Sequence, residues 1–346
     1  EVELNEEQEQ AVKLFSDIWC HIFELFKLRK EYLQVNGLDK GKDAINHWYK
    51  LGNTVNRTSM ELSLFFKMDV IKQAVDELLP EVKPVIVMET TMEATLKRLL
   101  EYSNEDNWDD LDDADTDTPI KKPKMKFPFV CKKDNQPLWK YKLVHLAKQV
   151  ADENMLASAD NETKKVLFEH MDAINHNVEK LPNWSASPID TLKDMLSQYN
   201  CDELSGRSIA LNKLKSGYQA IERKPAARNK IVHDFNSGKT DVLIITRTGS
   251  TGISLHAGST FKDQRPRQLI EAEIPRDPVQ RIQFWGRVSR KDEVVESNIE
   301  SIVLNMPLDI RNWENQNEKQ NKAMSHLGAL QQAQNIQYIS TYGNAI

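Results

Sequence analysis

Four short apolar runs, separated from one another by helical patterns, constrain the fold of this chain more than any other feature. They cover residues 82–88, 241–246, 268–274 and 299–306, and a weaker candidate strand lies at 217–221. Strands that are buried on both faces form continuous apolar runs, and repeated strand–helix units place such strands side by side in parallel. The sequence therefore predicts an α/β fold whose parallel sheet is covered by helices on both faces.

Helical patterns precede and interrupt these runs. Apolar residues recur at three-to-four spacing over 4–34, and Asn5 with two following glutamates suits the start of a helix. A second helix is predicted over 60–79, ending before Pro80, and further helices over 138–180. The predicted segments are a helical lead-in (1–80), a first strand–helix unit (81–102), an acidic linker with a partly helical insertion (103–180), the rest of the α/β domain (181–310) and a C-terminal helical extension (311–346).

An acidic segment interrupts the pattern at 103–118, where eight Asp and Glu residues occur with almost nothing apolar. This composition predicts a disordered linker or flexible loop. A basic run that includes Lys121, Lys122 and Lys124 follows it. Three interpretations stay open: a solvated linker in which the two runs neutralise each other, which we favour; a nuclear import signal at Lys-Lys-Pro-Lys; and an acidic mimic of nucleic-acid phosphates.

Charge is unevenly distributed along the chain. The whole chain carries a formal charge of −6, whereas residues 201–300 hold 17 Lys and Arg against 13 Asp and Glu. A basic segment in an acidic chain indicates either a polyanion-binding site or ordinary surface charge, and this number alone favours the second.

Cysteine usage and hydropathy argue against several classes of protein. Cys20, Cys131 and Cys201 lie far apart, without a Cys-x-x-Cys pair or a Cys/His cluster, which argues against a disulfide framework and a zinc site. No apolar run reaches the roughly 18 residues that a membrane helix needs. Because the chain begins at Glu1 without a signal peptide, we expect a fragment or processed product, located in the cytoplasm or, in a eukaryote, in the nucleus.

The apolar run at 241–246 ends in a turn rich in Gly, Ser and Thr. Gly249 and Gly252 allow the backbone to approach a ligand closely, and the hydroxyl groups of Ser250 and Thr251 suit a phosphate. A helix is predicted to follow, and the free amides at its start would add to such a site. Open α/β sheets bind ligands at strand ends of this kind. A tight strand-to-helix turn without a ligand is an equally good interpretation.

The segment 277–290 predicts a helix that begins with an Asp-Pro pair and carries donors on one face. Gln283, Arg287 and Arg290 are spaced at i, i+4 and i+7 and therefore share that face. Two guanidinium groups and an amide directed together suit a polyphosphate, whereas a salt-bridged surface helix is the alternative. Trp285 lies towards another face, where we expect it to pack on the sheet.

The turn, the following strand and the spacing Gln-x-x-Gly-Arg-x-x-Arg resemble motifs V and VI of superfamily 2 helicases, which lie in the second RecA-like domain of those proteins. Further segments, in the same order, resemble the strawberry notch family of helicase-like ATPases. These are Leu181–Asp190, Asp202–Arg207, Phe235–Gly238, Ser254–Ala257, Gln264–Arg267 and Ser325–Leu330. The resemblance is dense from 181 to 330, loose before residue 100 and weakest over 120–180. The chain also departs from the family at Gln280, where an Arg is common.

The resemblance implies a RecA-like fold and an ATP-dependent helicase or translocase. It implies that Arg287 and Arg290 act as arginine fingers on the γ-phosphate of ATP, and that Gln283 holds that phosphate or its attacking water. The residues implied to couple the nucleotide state to the nucleic-acid backbone are Thr248, Gly249, Ser250, Thr251 and Gly252. Those implied to bind nucleic acid are Arg247, Thr90 and Thr91, the two threonines by capping a helix whose amides grip a phosphate.

A P-loop is missing from the sequence, as is a D-E-x-H pair. Lys239 and Thr240 follow Gly238, but His233 stands where a P-loop needs its first Gly, and a strand rather than a helix follows. We therefore expect ATP and Mg²⁺ as cofactors of the full-length protein, with the P-loop on another RecA-like domain in cis or in trans. The expected partner is nucleic acid, DNA rather than RNA, and not a membrane. The alternative is a non-catalytic, helicase-derived module that binds nucleic acid or protein.

Overall fold

The computed structural model describes residues 2–37, 42–104, 127–131, 136–224, 227–247 and 252–326. The helices are α1 (Glu6–Val35), α2 (Lys42–Leu78), α3 (Glu93–Asn104), α4 (Tyr141–Val150), α5 (Glu153–Ser158), α6 (Asn161–Lys180), α7 (Pro188–Met195), α8 (Arg228–Asn236), α9 (Pro278–Val288) and α10 (Pro307–His326). The strands are β1 (Lys83–Val87), β2 (Phe129–Val130), β3 (Cys201–Leu204), β4 (Ile209–Leu214), β5 (Gly217–Glu222), β6 (Val242–Ile245), β7 (Arg267–Glu271) and β8 (Asn298–Ser301).

A five-stranded, fully parallel sheet forms the centre of the fold, with the order β3-β6-β1-β7-β8. Strand β1 lies in the middle, where Val85 pairs with Leu243 on one side and with Leu269 on the other. All residues of β1, β6 and β7 are buried. The sequences of β1 and β6 are largely apolar, as burial on both faces favours, whereas β7 (Arg-Gln-Leu-Ile-Glu) also buries polar side chains. The predicted α/β fold with a parallel sheet is confirmed.

Helices cover both faces of this sheet, because alternate residues of each strand point to opposite sides. Val85 and Val87 share an apolar core with Phe235 of α8 and Phe284 of α9. Ile86 and its alternating neighbours belong to a larger core that includes buried side chains of α1, α2, α4, α6 and α7. The helices before β1 and those between β2 and β3 therefore contribute to one layer on the same face.

Helix α1 begins where the sequence predicts. The Asn5 side chain accepts a hydrogen bond from the Gln8 amide, and the Gln8 side chain accepts one from the Asn5 amide, which completes a capping box. Its apolar face contributes Ile18, Ile22 and Leu25, all fully buried, to the larger core.

The structure departs from the sequence prediction at several elements. Helix α2 begins at Lys42, well before residue 60, and the run at 299–306 forms a strand only as far as Ser301. The predicted strand at 217–221 exists as β5, but it pairs antiparallel with β4 and β2 in a separate three-stranded sheet. Strand β3 escaped prediction because its sequence, Cys-Asp-Glu-Leu, is polar. In the described ranges, no helix is long and apolar enough to cross a membrane.

The acidic segment at 103–118 lies almost entirely outside the described residues, as do Lys121, Lys122 and Lys124. The interpretations given for these runs therefore stay predictions.

Candidate functional site

Polar side chains gather at the edge of the sheet where β1, β6 and β7 end. Thr90 and Thr91 follow β1, and Thr246 and Arg247 follow β6. Together with Arg57 of α2 and the start of α3, they line an open cavity of about 220 Å³. The structure thus brings Thr90, Thr91 and Arg247, the three predicted nucleic-acid-binding residues, to one cavity.

Hydrogen bonds fix the loop that carries Thr90 and Thr91. The Thr90 hydroxyl accepts from the Met92 amide at 3.1 Å, and the Thr91 hydroxyl accepts from the Glu93 amide at 3.4 Å, just where α3 begins. The Thr90 amide itself donates to Glu273 Oε2 at 3.0 Å. These three amides already have acceptors within the protein. The hydroxyl groups and Arg247 are thus better suited to a phosphate here than these amides.

Two carboxyl groups lie beneath this loop, and sequence reasoning missed both. Burial raises the pKa of Glu273 to about 7, although the Thr90 amide opposes the shift, and nearby Glu89 adds to it. Burial also raises the pKa of Glu89, which accepts a hydrogen bond from Gln280 Nε2 of α9 at 2.9 Å. An acidic residue directly after an apolar strand is the signal that would have indicated them.

Helix α9 begins at the predicted cap, because the Asp277 side chain accepts from the Val279 amide at 3.0 Å. At its other end, two predicted finger residues converge on one backbone oxygen. Arg290 Nη2 lies 3.2 Å and Arg287 Nη1 lies 3.4 Å from the carbonyl oxygen of Ile253. Helix α9 ends at Val288, so Arg287 lies in its last turn, whereas Arg290 lies beyond it and does not share the predicted helical face. Both arginines nevertheless lie against the end of the Gly/Ser/Thr turn. Gln283 is exposed on the same helix.

The turn itself is only partly described. Thr248, Gly249, Ser250 and Thr251 lie outside the described residues, and their predicted role stays a prediction. Gly252 has a φ of 71°, a left-handed conformation that glycine adopts without strain. The described residues from Gly252 to Ala257 are irregular, so no helix extends over them. Here the Leu255 amide instead donates to the Arg287 carbonyl oxygen at 2.8 Å.

Positive charge at this end of α9 is not neutralised. Burial lowers the pKa of Arg287, and the neighbouring charges of Arg290 and Arg228 lower it further. Arg287 Nε is buried without a hydrogen-bond partner. Across the described ranges, no carboxylate forms an ion pair with any of these three arginines. Arg290 and Arg228 thus both place positive charge near Arg287, an arrangement whose chemistry suits an anion.

Arg281, on the same helix, has the opposite environment. It forms an ion pair with Glu271 of β7 at 2.7 Å and donates to Asn317 and Gln320 of α10. Trp285 Nε1 donates to the same Glu271 at 2.9 Å, which agrees with the expectation that this ring packs on the sheet. These contacts hold α9 in place.

Two segments that carried the family resemblance meet at a buried arginine. Arg207 forms ion pairs with Asp190 at 2.6 Å and Glu203 at 2.5 Å. Burial alone would raise the pKa of Glu203, but the hydrogen bonds and charge of Arg207 outweigh it and lower that pKa to about 2. The network joins α7, β3 and the start of β4, so these segments support the sheet. It also explains why β3 is polar.

The comparisons with known proteins agree with these motifs. Residues 187–341 match the family model described as the C-terminal domain on Strawberry notch homologue. The resemblance to the strawberry notch family is thereby confirmed for that segment, which contains α7 to α10 and both helicase-like motifs.

Two curated relatives resemble shorter stretches. The chain is 30% identical over 141 residues, 38% of its length, to protein FORGETTER 1 of Arabidopsis thaliana. It is 29% identical over 118 residues, 31% of its length, to protein strawberry notch homolog 2 of Homo sapiens. These matches cover only 10% and 9% of the two relatives, so the chain spans a small part of the proteins that it resembles.

Two solved structures give weak overall likeness. The C-terminal part of the Fun30 ATPase domain has a TM-score of 0.27 at 11% identity, covering 67% of this chain and 88% of that one. A Dbp5 variant of S. cerevisiae, bound to RNA and ADP BeF3, has a TM-score of 0.24 at 11% identity, covering 73% and 80%.

Proposed function

We propose that this chain is the C-terminal, RecA-like half of an ATP-dependent nucleic-acid helicase or translocase. It would complete an ATP site whose P-loop and Mg²⁺ ligands lie on another RecA-like domain, in cis or in trans. Arg287 and Arg290 would act on the γ-phosphate, and exposed Gln283 would assist them. The edge that carries Thr90, Thr91 and Arg247 would contact the nucleic-acid backbone, and the residues from Thr248 to Gly252 would couple that contact to the nucleotide.

The observation that carries this proposal is the state of the arginines at the end of α9. Arg287 has a buried Nε without a partner, and Arg290 and Arg228 lie close enough to depress its pKa. An arginine kept for stability alone is normally paired, as Arg281 is. A triphosphate supplies the charge that this end of the helix lacks, and its transferring phosphoryl group develops charge that planar guanidinium groups can stabilise.

The nucleic-acid edge is supported by position and composition. Ligands of open α/β sheets bind beyond the carboxyl ends of the strands. The cavity at that edge combines Arg57 and Arg247 with the Thr90 and Thr91 hydroxyl groups. Such groups typically contact phosphate and sugar without reading sequence.

Helix α9 connects the two proposed contacts. Its first turn carries Gln280, which donates to Glu89 beside the Thr90 loop, and its last turn carries Arg287. These positions are about 10 Å apart along the helix axis, at roughly 1.5 Å per residue. A shift of α9 that brings the arginines to a nucleotide would therefore also pull on the loop that faces nucleic acid.

The test is steady-state ATPase kinetics of the longer parent protein with nucleic acid present, together with nucleotide affinity. Replacing Arg287 or Arg290 by Ala should lower kcat by about 10³–10⁵ while changing nucleotide affinity far less, because the arginines act on charge that develops during transfer. Lys at either position should restore little, since it lacks the planar fork. Arg311→Ala, which changes an exposed arginine of α10, is the matched control.

Near-normal kcat in both variants would overturn the assignment of Arg287 and Arg290. If the parent protein hydrolyses no ATP but still binds nucleic acid, the non-catalytic module is the correct interpretation. Parallel binding measurements with DNA and RNA of the same sequence decide which of the two nucleic acids this edge of the sheet prefers.

A further inference from the structure

Two histidines meet between α1 and α6, and neither lines the cavity at the edge of the sheet. His21 of α1 and His170 of α6 are 149 residues apart in sequence, yet their Nδ1 atoms lie 2.9 Å apart. The ring centroids are separated by 5.2 Å. Because two lone pairs repel at this distance, one Nδ1 must carry a proton and donate it to the other.

The surroundings of the pair are open and carry further polar groups. Cys20, Glu24 and Lys27 lie on the same side of α1 and, with Phe23 and the two histidines, line a cavity of about 480 Å³. The pKa of Glu24 is lowered first by its hydrogen bond from Lys27 and further by the charges of His170 and His21. A negative charge therefore lies near both imidazoles.

The distance between the two nitrogens matches a metal site. With metal–nitrogen bonds of about 2.05 Å, a separation of 2.9 Å corresponds to an angle of about 90° at the metal. That angle is the cis angle of tetragonal and octahedral complexes, the geometries of Cu²⁺ and Ni²⁺ with nitrogen and oxygen ligands. A tetrahedral ion would need a separation of about 3.3 Å, which requires the helices to shift slightly.

We propose that His21 and His170 form a two-imidazole binding site for a divalent transition-metal ion, Cu²⁺ or Ni²⁺ ahead of Zn²⁺. The metal takes both Nδ1 lone pairs, and the ring that had carried the shared proton changes to its Nε2–H tautomer by exchange with solvent, so that both imidazoles bind as neutral ligands. No group of three or more His, Cys, Asp or Glu in the described part of the chain could hold a metal. Water therefore fills the remaining coordination positions, and the site is open to exchange.

A metal here would join the N-terminal helix to α6. Both helices belong to the core that covers one face of the sheet, so a metal-bound pair adds a cross-link between segments distant in sequence. Any ligand that binds the folded state alone raises the melting temperature. The proposal is independent of the helicase assignment, because neither histidine contacts the edge of the sheet or the end of α9 in the structure.

The test is calorimetric titration of NiCl₂ into the tag-free chain near neutral pH, with Ni²⁺ chosen because it does not oxidise the exposed Cys20 thiol. We expect one ion per chain and a rise in melting temperature of a few degrees at metal concentrations well above Kd. His21→Ala and His170→Gln should each weaken binding on the order of tenfold or more, since removal of groups that only orient metal ligands already costs that much. Cys20→Ser should bind normally.

His176→Ala is the matched control, because His176 is an exposed histidine on the same helix, α6. Circular dichroism of the metal-free variants separates lost folding from lost binding. Wild-type affinity in both His21→Ala and His170→Gln would overturn the proposal. An equal loss in His176→Ala, or dependence on Cys20 rather than on the histidines, would do so as well.

Discussion

The arginines in the first part of α9 and those at or just beyond its end have opposite environments. Arg281 is buried and bonded to Glu271, Asn317 and Gln320, so all of its charge is used inside the protein. Arg287 and Arg290, two turns further on, share only backbone oxygens and lie close enough to repel each other. The comparison teaches that the positions of charged residues along one helix do not reveal their roles. An arginine that is paired with a carboxylate stabilises the fold, whereas an arginine without such a partner is available to bind a ligand.

The largest effect on stability should come from breaking the paired end. Arg281→Ala leaves Glu271 buried without its cation, and removing one partner of a buried pair costs about 3–5 kcal/mol. Arg287→Ala and Arg290→Ala should each change the free energy of unfolding by less than about 1 kcal/mol, because no pair is lost. Denaturant unfolding of the three variants checks the contrast. A similar loss of stability in all three variants would contradict the distinction between paired and unpaired arginines.

The next effect concerns the buried carboxyl under the Thr90 loop. The pKa of Glu273 is raised to about 7 in the folded state, against an ordinary value of 4.5. Between these values the folded protein binds more protons than the unfolded chain, so stability is greatest at low pH and is lost as pH rises from about 4.5 to 7. The contribution amounts to about 3 kcal/mol over that window.

The free energy of unfolding, measured across this pH range, should therefore fall as pH rises. Glu273→Gln should abolish the part of this fall that Glu273 causes, since Gln cannot ionise. Glu300→Gln, at an exposed residue of β8, serves as the control. An unchanged pH profile in Glu273→Gln would mean that another group titrates.

A smaller contrast separates the two glutamines of α9. Gln280 is buried and bonded to Glu89, whereas Gln283 is exposed. Gln280→Ala should cost about 1 kcal/mol, because it removes the hydrogen bond to the half-buried carboxylate of Glu89, and Gln283→Ala less than about 0.5 kcal/mol. In the parent protein the order should reverse for kcat if Gln283 lies at the phosphate. Thermal unfolding and ATPase assays on both variants provide the comparison.

The smallest effect should appear in nucleic-acid binding by the isolated chain. About three phosphate contacts give a slope of roughly −2 to −3 when log affinity is plotted against log salt concentration. Arg247→Ala should reduce that slope by about 1, while Arg311→Ala should leave it unchanged. Affinity independent of salt would argue against phosphate contacts at this edge.

Local sequence determined the framework. Continuous apolar runs become buried strands because apolar side chains tolerate burial on both faces, and β1 and β6 follow this rule. Strand β7 is buried as well, but its charged side chains are paired within the fold. The start of α9 followed from an Asp-Pro pair, and the place of Arg287 in its last turn followed from helical spacing. These features depend on residues a few positions apart, which a sequence displays directly.

Tertiary structure alone decided which polar groups pair. Glu203 is acceptable in a buried strand because Arg207 and Lys193 neutralise it. The pKa of Glu273 is raised because the fold buries its carboxyl group beside Glu89. Each of these environments arises from side-chain neighbours whose approach depends on the fold. Desolvation and pairing depend on three-dimensional distance, so the sequence predicted where the strands and helices lie, and only the folded chain showed which charges remain for a ligand.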